Sequence, residues 1–366
     1  FHSHAYRYLR VSGLREARAL EDVTAQLVHT DYAGHSAFAC SDEDLNKIHD
    51  MIQYTLSCLM IGGDLVDCPH IERLGYGGDG NASTLTAQTM FDLAPTYQNW
   101  MQAWSDCLRE DGSMPHTAPN PFSAGGGPFW CGFLITGSWQ TYVNYGDDSL
   151  LKAYYEEMKQ WIGYVERYSP EGLLEEWPAT DYRNWYLGDW ATPTGIDQQD
   201  PASVRLVNNC FVAVCYDTMR KIAAHLGLNE EMKRFADSYA SLVKRIQDRC
   251  YLPDNASYAT GTQIDLVYPM LAGVTPDALK EAVVSTLMQV TADRFKGHLS
   301  TGLVGVPVIT QWATREGKAD FMYQMLKQHG YPGYLYMIDN GATTTWEHWN
   351  GARSHIHNCY NGIGAW

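Results

Sequence analysis

Apolar residues recur at alternating three- and four-residue spacings in stretch after stretch of this chain, while the strand–helix–strand rhythm of a parallel sheet is missing. That combination leaves architectures in which helices pack on helices. In "SDEDLNKIHDMIQYTL", Leu45, Ile48, Ile52 and Leu56 fall on one face, with Ser41 as the expected N-cap and acidic residues in the first turn. "DDSLLKAYYEEMKQWIGYVERY" aligns Leu151, Tyr155, Met158, Ile162 and Val165, and "NEEMKRFADSYASLVKRIQ" aligns Met232, Phe235, Tyr239, Leu242 and Ile246. "TPDALKEAVVSTLMQV" offers Thr275 as cap, Pro276 at the first helical position, and a face of Leu279, Val283, Leu287 and Val290.

Between these helices run long connections rich in Gly, Pro and aromatic residues: "SMPHTAPNPFSAGGGPFWCG", "EEWPATDYRNWYLGDWATPTG" and "GYPGYLYMIDNGATTTWEHWNG". Loops of that length and composition carry function more often than they merely connect. Short turns alternating with such loops predict a barrel of helical hairpins whose loops gather at one end. Residues 1–37, opening on "AYRYLRVSGL", read instead as the C-terminal strand and linker of a preceding β domain, and residues 38–366 as the helical domain. With Phe at position 1 and strand-like sequence following at once, the chain reads as processed or as an excised piece of a longer protein. Periplasmic, secreted and cytoplasmic settings all stay open.

Composition removes several classes of function. The formal net charge is −16, so nucleic acid is not an expected partner, since phosphate contacts require a surplus of Lys and Arg. No run of about 18 apolar residues provides a membrane-spanning helix. Nine cysteines without a CxxC pair read as small buried hydrophobes rather than thiolate zinc ligands. The sequons at Asn81 and Asn255 are three-residue matches that carry no argument.

Chemistry concentrates in "DLVDCPHIERLGYGGDGN", residues 64–81. Gly75, Gly77 and Gly80 satisfy GxGxxG, but the preceding "DCPHIER" is charged and broken by proline, and Asp79 inside the loop would repel a pyrophosphate. The expectation is a loop and tight turn ahead of the helix "NASTLTAQTMFDL", with no phosphate on its glycines. Asp67, His70, Glu72, Asp79, His116 and His357 follow no metal-ligand spacing, so no metal is expected. Carboxylates placed for acid–base work remain. Far along the chain "TTTWEHWNGARSHIHN" sets Glu347 between Trp346 and Trp349, where rings could stack on a sugar. Two carboxyl groups on opposite sides of a glycosidic bond are the minimum machinery for its hydrolysis.

"DCPHIERLGYGGD" is similar to the signature of the bacterial α-L-rhamnosidases of glycoside hydrolase family 78, approximately D-C-P-x-R-E-R-x-G-W-T-G-D. "PFWCG", "LGDWATP", "HLSTGLVGVP", "GYPGYLYMIDNGATTTWEHWNG" and "SHIHNCYNGIGAW" follow in the order of that family, from about residue 38 to 366. The resemblance implies an (α/α)6 barrel, hydrolysis of terminal α-linked L-rhamnose with inversion, a carbohydrate substrate as partner, and no required cofactor. It implies Glu72 as general acid and Glu347 as general base. Asp67 and Asp79 would hold sugar hydroxyls, and Tyr76, Trp130, Asp189, Trp190, Trp349 and His357 would build the rest of the substrate pocket. Where the family has Arg, Trp and Thr, this chain has Ile71, Tyr76 and Gly77. An alternative is therefore a paralogue of changed specificity, or a non-catalytic one, that takes another deoxy sugar.

Overall fold

A computed structural model describes residues 8–366 except 17, 27, 29, 33–35, 122–125, 178–185 and 195–199. Part of the strand expected in "AYRYLRVSGL" lies outside the described residues. Over Tyr8–Leu14 the backbone forms no strand, and the one regular element among the described residues before Cys40 is a 3-10 turn at Leu20–Asp22.

Helices dominate the rest, in outer and inner pairs. They are α1 (Glu43–Leu59), α2 (Gly77–Met90), α3 (Ala94–Asp106), α4 (Pro128–Cys131), α5 (Phe133–Tyr145), α6 (Ser149–Ala153), α7 (Tyr155–Arg167), α8 (Pro201–His225) and α9 (Asn229–Cys250). Then follow α10 (Gln263–Leu271), α11 (Asp277–Asp293), α12 (Gly305–Arg315), α13 (Ala319–Leu326), α14 (Tyr334–Asp339) and a closing 3-10 turn, Asn361–Ala365. α2 packs on α5, α5 on α8, α8 on α10, α10 on α12, and the closing turn sits between α12 and α2. This is an (α/α)6 barrel whose sixth inner element is a 3-10 turn. Two small antiparallel hairpins, β1 (Met60–Ile61) with β2 (Asp64–Leu65) and β3 (Tyr251–Leu252) with β4 (Ser257–Tyr258), decorate it.

The periodic faces do what their spacing requires. Ile48, Ile52 and Leu56 of α1, Met158, Ile162 and Val165 of α7, and Phe235, Leu242 and Ile246 of α9 are buried. Three helix boundaries differ from expectation. Asp42 rather than Ser41 caps α1, because its carboxylate accepts the Asp44 N–H at 3.0 Å while also receiving Tyr323 Oη at 2.7 Å and Lys327 Nζ at 3.0 Å. A carboxylate tied to a neighbouring helix is the better partner there. The stretch from Ser149 to Arg167 is broken at Tyr154 into α6 and α7. α11 takes Pro276, not Thr275, as its cap residue.

Of the glycine cluster, Gly75 precedes the helix, while Gly77, Gly78 and Gly80 form the first turn of α2 rather than a turn before it. A Cβ on Gly77 would lie 2.0 Å from the Trp130 carbonyl oxygen, and one on Gly78 2.3 Å from the Trp130 ring. These glycines bring α2 against α4 and α5, and that contact is their physical role. Gly77→Ala should lower stability by about 3 kcal/mol or more, because the obstructing atom is backbone and cannot turn aside as a side chain would. Urea unfolding measures it; a loss below about 1 kcal/mol would show that α4 yields easily.

Hydrogen bonds between the last segment and the first helices close the ring. Thr345 N–H donates to Thr55 Oγ1 at 2.9 Å, Asn358 Nδ2 to Ser83 Oγ at 2.9 Å, Ala365 N–H to Thr86 Oγ1 at 3.0 Å and Thr86 Oγ1 to the Gly362 carbonyl at 3.3 Å. The last segment is thereby laced to α1 and α2, which brings the loop after β2 to the loop around Glu347.

Candidate active site

The amino ends of α2, α5 and α12 and the segment before the closing turn converge at one end of the barrel. Asp67 begins the loop between β2 and α2, and its base is pinned twice. Asp67 N–H donates to the Leu74 carbonyl at 3.0 Å, and Leu74 N–H returns to Asp67 Oδ1 at 2.9 Å. Glu72 rides on this loop beside Arg73, whose φ of 58° is left-handed. The Asn358 N–H donates to the Asp67 carbonyl at 2.9 Å, so the first chemical loop and the last are joined by backbone.

Glu347 is held from the opposite side. Its N–H donates to the Ser354 carbonyl at 2.9 Å, and its Oε2 accepts the Ser354 N–H at 3.1 Å. His357 N–H donates to the Thr345 carbonyl at 2.9 Å, and Thr345 Oγ1 donates to the His357 carbonyl at 2.8 Å. The segments 345–347 and 354–357 thus run together, with Arg353 at the turn between them. Arg353 Nη2 is 3.2 Å from Glu72 Oε1, and its Nε is 3.3 Å from Glu347 Oε1. One guanidinium therefore touches both of the carboxylates singled out from the sequence. Arg353 and His348, whose Nε2 is 3.6 Å from Glu347 Oε1, lie in the same stretch as Glu347, but residue type and spacing alone do not single them out.

Behind this pair lie Asp67, Asp79 and His357, all buried. His357 Nδ1 accepts the Cys359 N–H at 3.2 Å, which leaves the ring proton on Nε2, 3.7 Å from Asp67 Oδ2. Burial lowers His357 to about 4, so its ring is neutral at pH 7. Burial raises the Asp67 carboxyl to about 8, against the Leu74 N–H that lowers it and with the charge of Glu72 adding to the rise. Burial likewise drives Asp79 well above the usual carboxylate range, reinforced by Asp67, and its Oδ1 has no hydrogen-bond partner. A deep carboxyl with an unused oxygen is a ready partner for a ligand hydroxyl. Burial also pushes Glu347 upward, but His348, His357 once acid protonates its ring, the Ser354 N–H and Arg353 together outweigh it, and the carboxyl lies below its ordinary range.

Asp67 offers a measurable consequence. Its folded value of about 8 exceeds the unfolded value of about 3.9, so between these limits the native state binds more protons and this group's contribution to stability falls as pH rises. Asp67→Asn keeps the Leu74 bond and cannot ionise. Its melting temperature should gain on the wild type between about pH 5 and about pH 8. A constant difference across that range would show that Asp67 is ionised throughout.

The remaining sequence-selected residues divide between pocket and packing. Trp190 is half-buried, with its ring 5.6 Å from His348 and 6.0 Å from His357, and Tyr76 is half-buried at the start of α2. Asp189 turns to backbone: Oδ2 accepts the Gly302 N–H at 2.8 Å, and Oδ1 accepts Val304 and Gly305 N–H at 3.0 and 2.8 Å. Burial lifts this carboxyl to about 7 while those three donors pull it down. Trp349 is 1% exposed, donates Nε1 to the Thr301 carbonyl at 2.8 Å and stacks on Tyr360 at 4.0 Å. Trp130 is buried against Gly78 and Gly126. Trp346 is buried as well and stacks on His355. Residues flanking a carboxylate in sequence need not face a ligand, and here the large rings serve the core.

Two sets of donor atoms, Asp67–Cys68–Glu72 and Asp79–His357–Cys359, each lie within 4.8 Å of one another. Their chemistry is poor for a cation. The Cys68 thiol, pushed up to about 12 by burial, keeps its one proton, which Glu72 Oε2 at 3.2 Å and Asp67 Oδ2 at 3.4 Å are both placed to accept. Burial also drives the Cys359 thiol well above its ordinary range, and the Nδ1 lone pair of His357 is already occupied.

Residues 33–366 match the family described as bacterial alpha-L-rhamnosidase 6 hairpin glycosidase domain. An alpha-L-rhamnosidase of Alteromonas sp. (strain LOR) is 28% identical over 395 residues, covering 100% of this chain and 41% of the relative. One from Streptomyces avermitilis is 27% identical over 378 residues, covering 100% of this chain and 35% of the relative. This chain thus spans about two fifths or less of the length of these curated relatives. Among solved structures, the alpha-L-rhamnosidase from Dictyoglumus thermophilum superposes with a TM-score of 0.87 at 28% identity, over 96% of this chain and 40% of that one. The Streptomyces avermitilis alpha-L-rhamnosidase complexed with L-rhamnose superposes at 0.82 with 26% identity, over 92% and 32%. With the family match covering all but the first 32 residues, this chain belongs to the bacterial α-L-rhamnosidase six-hairpin glycosidase family.

Proposed function

We propose that this chain is the catalytic domain of an α-L-rhamnosidase that releases terminal α-linked L-rhamnose with inversion, Glu72 acting as general acid and Glu347 as general base. The observation that carries the reading is the meeting of Glu72 and Glu347 on one guanidinium at the mouth of the barrel, over Asp67, Asp79 and His357. Inversion requires ~6.5–9.5 Å between the two carboxyl groups to leave room for a water, and a guanidinium that reaches one oxygen of each, at 3.2 and 3.3 Å through different nitrogens, is wide enough to sit between groups so spaced. Glu347, held below its ordinary range, is suited to accept a proton from that water. The neutral His357 Nε2–H, Asp67 and Asp79 are hydrogen-bonding groups for the sugar hydroxyls, and Trp190 supplies an apolar face.

Residues 1–37 are read as the link to a preceding β domain rather than as part of the catalytic unit. The family match that starts at residue 33 and the exposed Tyr8, Leu9, Val11 and Leu14 support this. Proton NMR of the first-formed sugar during hydrolysis of an aryl α-L-rhamnoside tests the function. The β anomer is expected, and the α anomer would establish a retaining mechanism. A second reading, another deoxyhexose as glycone, is favoured by Ile71, which is 49% exposed where the family signature has an arginine. Turnover of a different aryl glycoside with none of the rhamnoside would replace the first reading by the second.

A further inference from the structure

The contact that unites the two carboxylates is at odds with their proposed work. Hydrolysis needs the glycosidic oxygen beside one carboxyl group and a water beside the other, with the anomeric carbon between them. In this structure the Arg353 guanidinium reaches both, at 3.2 and 3.3 Å. Charge makes the conflict sharper, because the sugar becomes positive in the transition state and a fixed cation among the reacting atoms would oppose it.

We propose that Arg353 is a positioning counter-ion, a residue that bridges Glu72 and Glu347 and gives up Glu72 when the glycone enters. The inference rests on the assignment of those two residues as the acid–base pair. Among the described residues, Arg353 is the one Lys or Arg ion-paired with either carboxylate. The other groups around the pair are the Cys68 thiol, Asp67, Asp79, His348 and His357. Asp67 and Asp79 are driven toward neutrality by burial and His357 is neutral, so the two glutamates would face each other without a permanent cation if Arg353 were absent.

The turn is built to let the side chain go without moving Glu347. Arg353 has a left-handed φ of 63° and Gly351 one of 75°. The next residue is clamped through Ser354 N–H to Glu347 Oε2, and the turn before it through Ala352 N–H to Asn350 Oδ1 at 3.0 Å. The Arg353 side chain itself is 42% exposed, against 2% for Glu347, so its outward path leads into water. A ligand that brings its own positive charge competes directly with this guanidinium. A neutral sugar competes with it only for space.

Calorimetric titration of the wild type, Arg353→Gln, Arg353→Ala and Arg353→Lys with two probes separates the possibilities. The probes are L-rhamnose and a cationic iminosugar with the same hydroxyl arrangement. Removing the guanidinium should tighten the iminosugar about tenfold or more while L-rhamnose changes by less than about threefold, and Arg353→Lys should retain the wild-type ratio. Equal weakening of both ligands would make Arg353 a lasting sugar contact, and an unchanged ratio with intact binding would make it merely structural. Either result overturns the proposal while leaving the assignment of the glutamates standing. Failure of both probes to bind any of the four proteins, together with absent rhamnoside turnover, would overturn the functional reading itself and this inference with it.

Discussion

Glu72→Gln is expected to slow hydrolysis of rhamnosides with poor leaving groups by about 100- to 10,000-fold, while activated aryl rhamnosides lose far less. The asymmetry follows from the role. An alkoxide leaving group needs a proton in the transition state, whereas a nitrophenolate leaves almost unaided. Glu347→Gln should instead depress every substrate by a comparable factor, because each reaction consumes the same activated water. The plot of log kcat against leaving-group pKa separates the two cases, steepening for the first variant and shifting in parallel for the second. Parallel shifts in both would remove the acid role from Glu72, and full activity in both would remove the pair.

The second large effect concerns a residue that touches no reacting atom. Asp189→Ala should cost about 3–5 kcal/mol of stability, since it leaves the buried N–H groups of Gly302, Val304 and Gly305 without their acceptor and opens a cavity beside α12. Asp189→Asn should recover only a fraction, because an amide presents one acceptor and turns a donor toward other donors. Activity should fall along with stability. The Leu303 N–H donates to the Trp190 carbonyl at 2.8 Å, so the same clip that holds the 302–305 turn also sets the half-buried Trp190 ring. Denaturant midpoints for the two variants measure the effect. A loss below about 1 kcal/mol for Asp189→Ala would mean that water replaces the carboxylate without difficulty.

The contrast between Asp189 and Trp190 marks where sequence stops speaking. Adjacent residues in a loop point in different directions, and only the fold decides that the ring borders the pocket while the carboxylate binds backbone. Helical periodicity was readable because burial is written into spacing: Ile48, Ile52 and Leu56 are buried as their intervals require. Glu72 and Glu347 could be singled out because the signatures around them are long, and the fold brings the two onto one guanidinium. Sequence could not place the Trp349 ring, since an aromatic beside a carboxylate looks the same whether it faces a sugar or, as in this fold, stacks on Tyr360. Arg353 was invisible for a different reason. Its partner Glu72 lies 281 residues earlier, and the contact depends on barrel closure and on a left-handed backbone angle that an arginine does not advertise.

The lacing of the last segment onto α1 and α2 also bears on the order of events in folding. Thr345 to Thr55, Asn358 to Ser83 and Ala365 to Thr86 are contacts between the two extremes of the helical unit. Their loop-closure entropy is among the largest the chain must meet, and on the ribosome residues 345–365 become available only after the first five hairpins have been made. Secondary structure and sugar-hydrolysing competence should therefore appear at different times, with far-UV ellipticity developing before activity, so that catalysis reports on ring closure rather than on helix content.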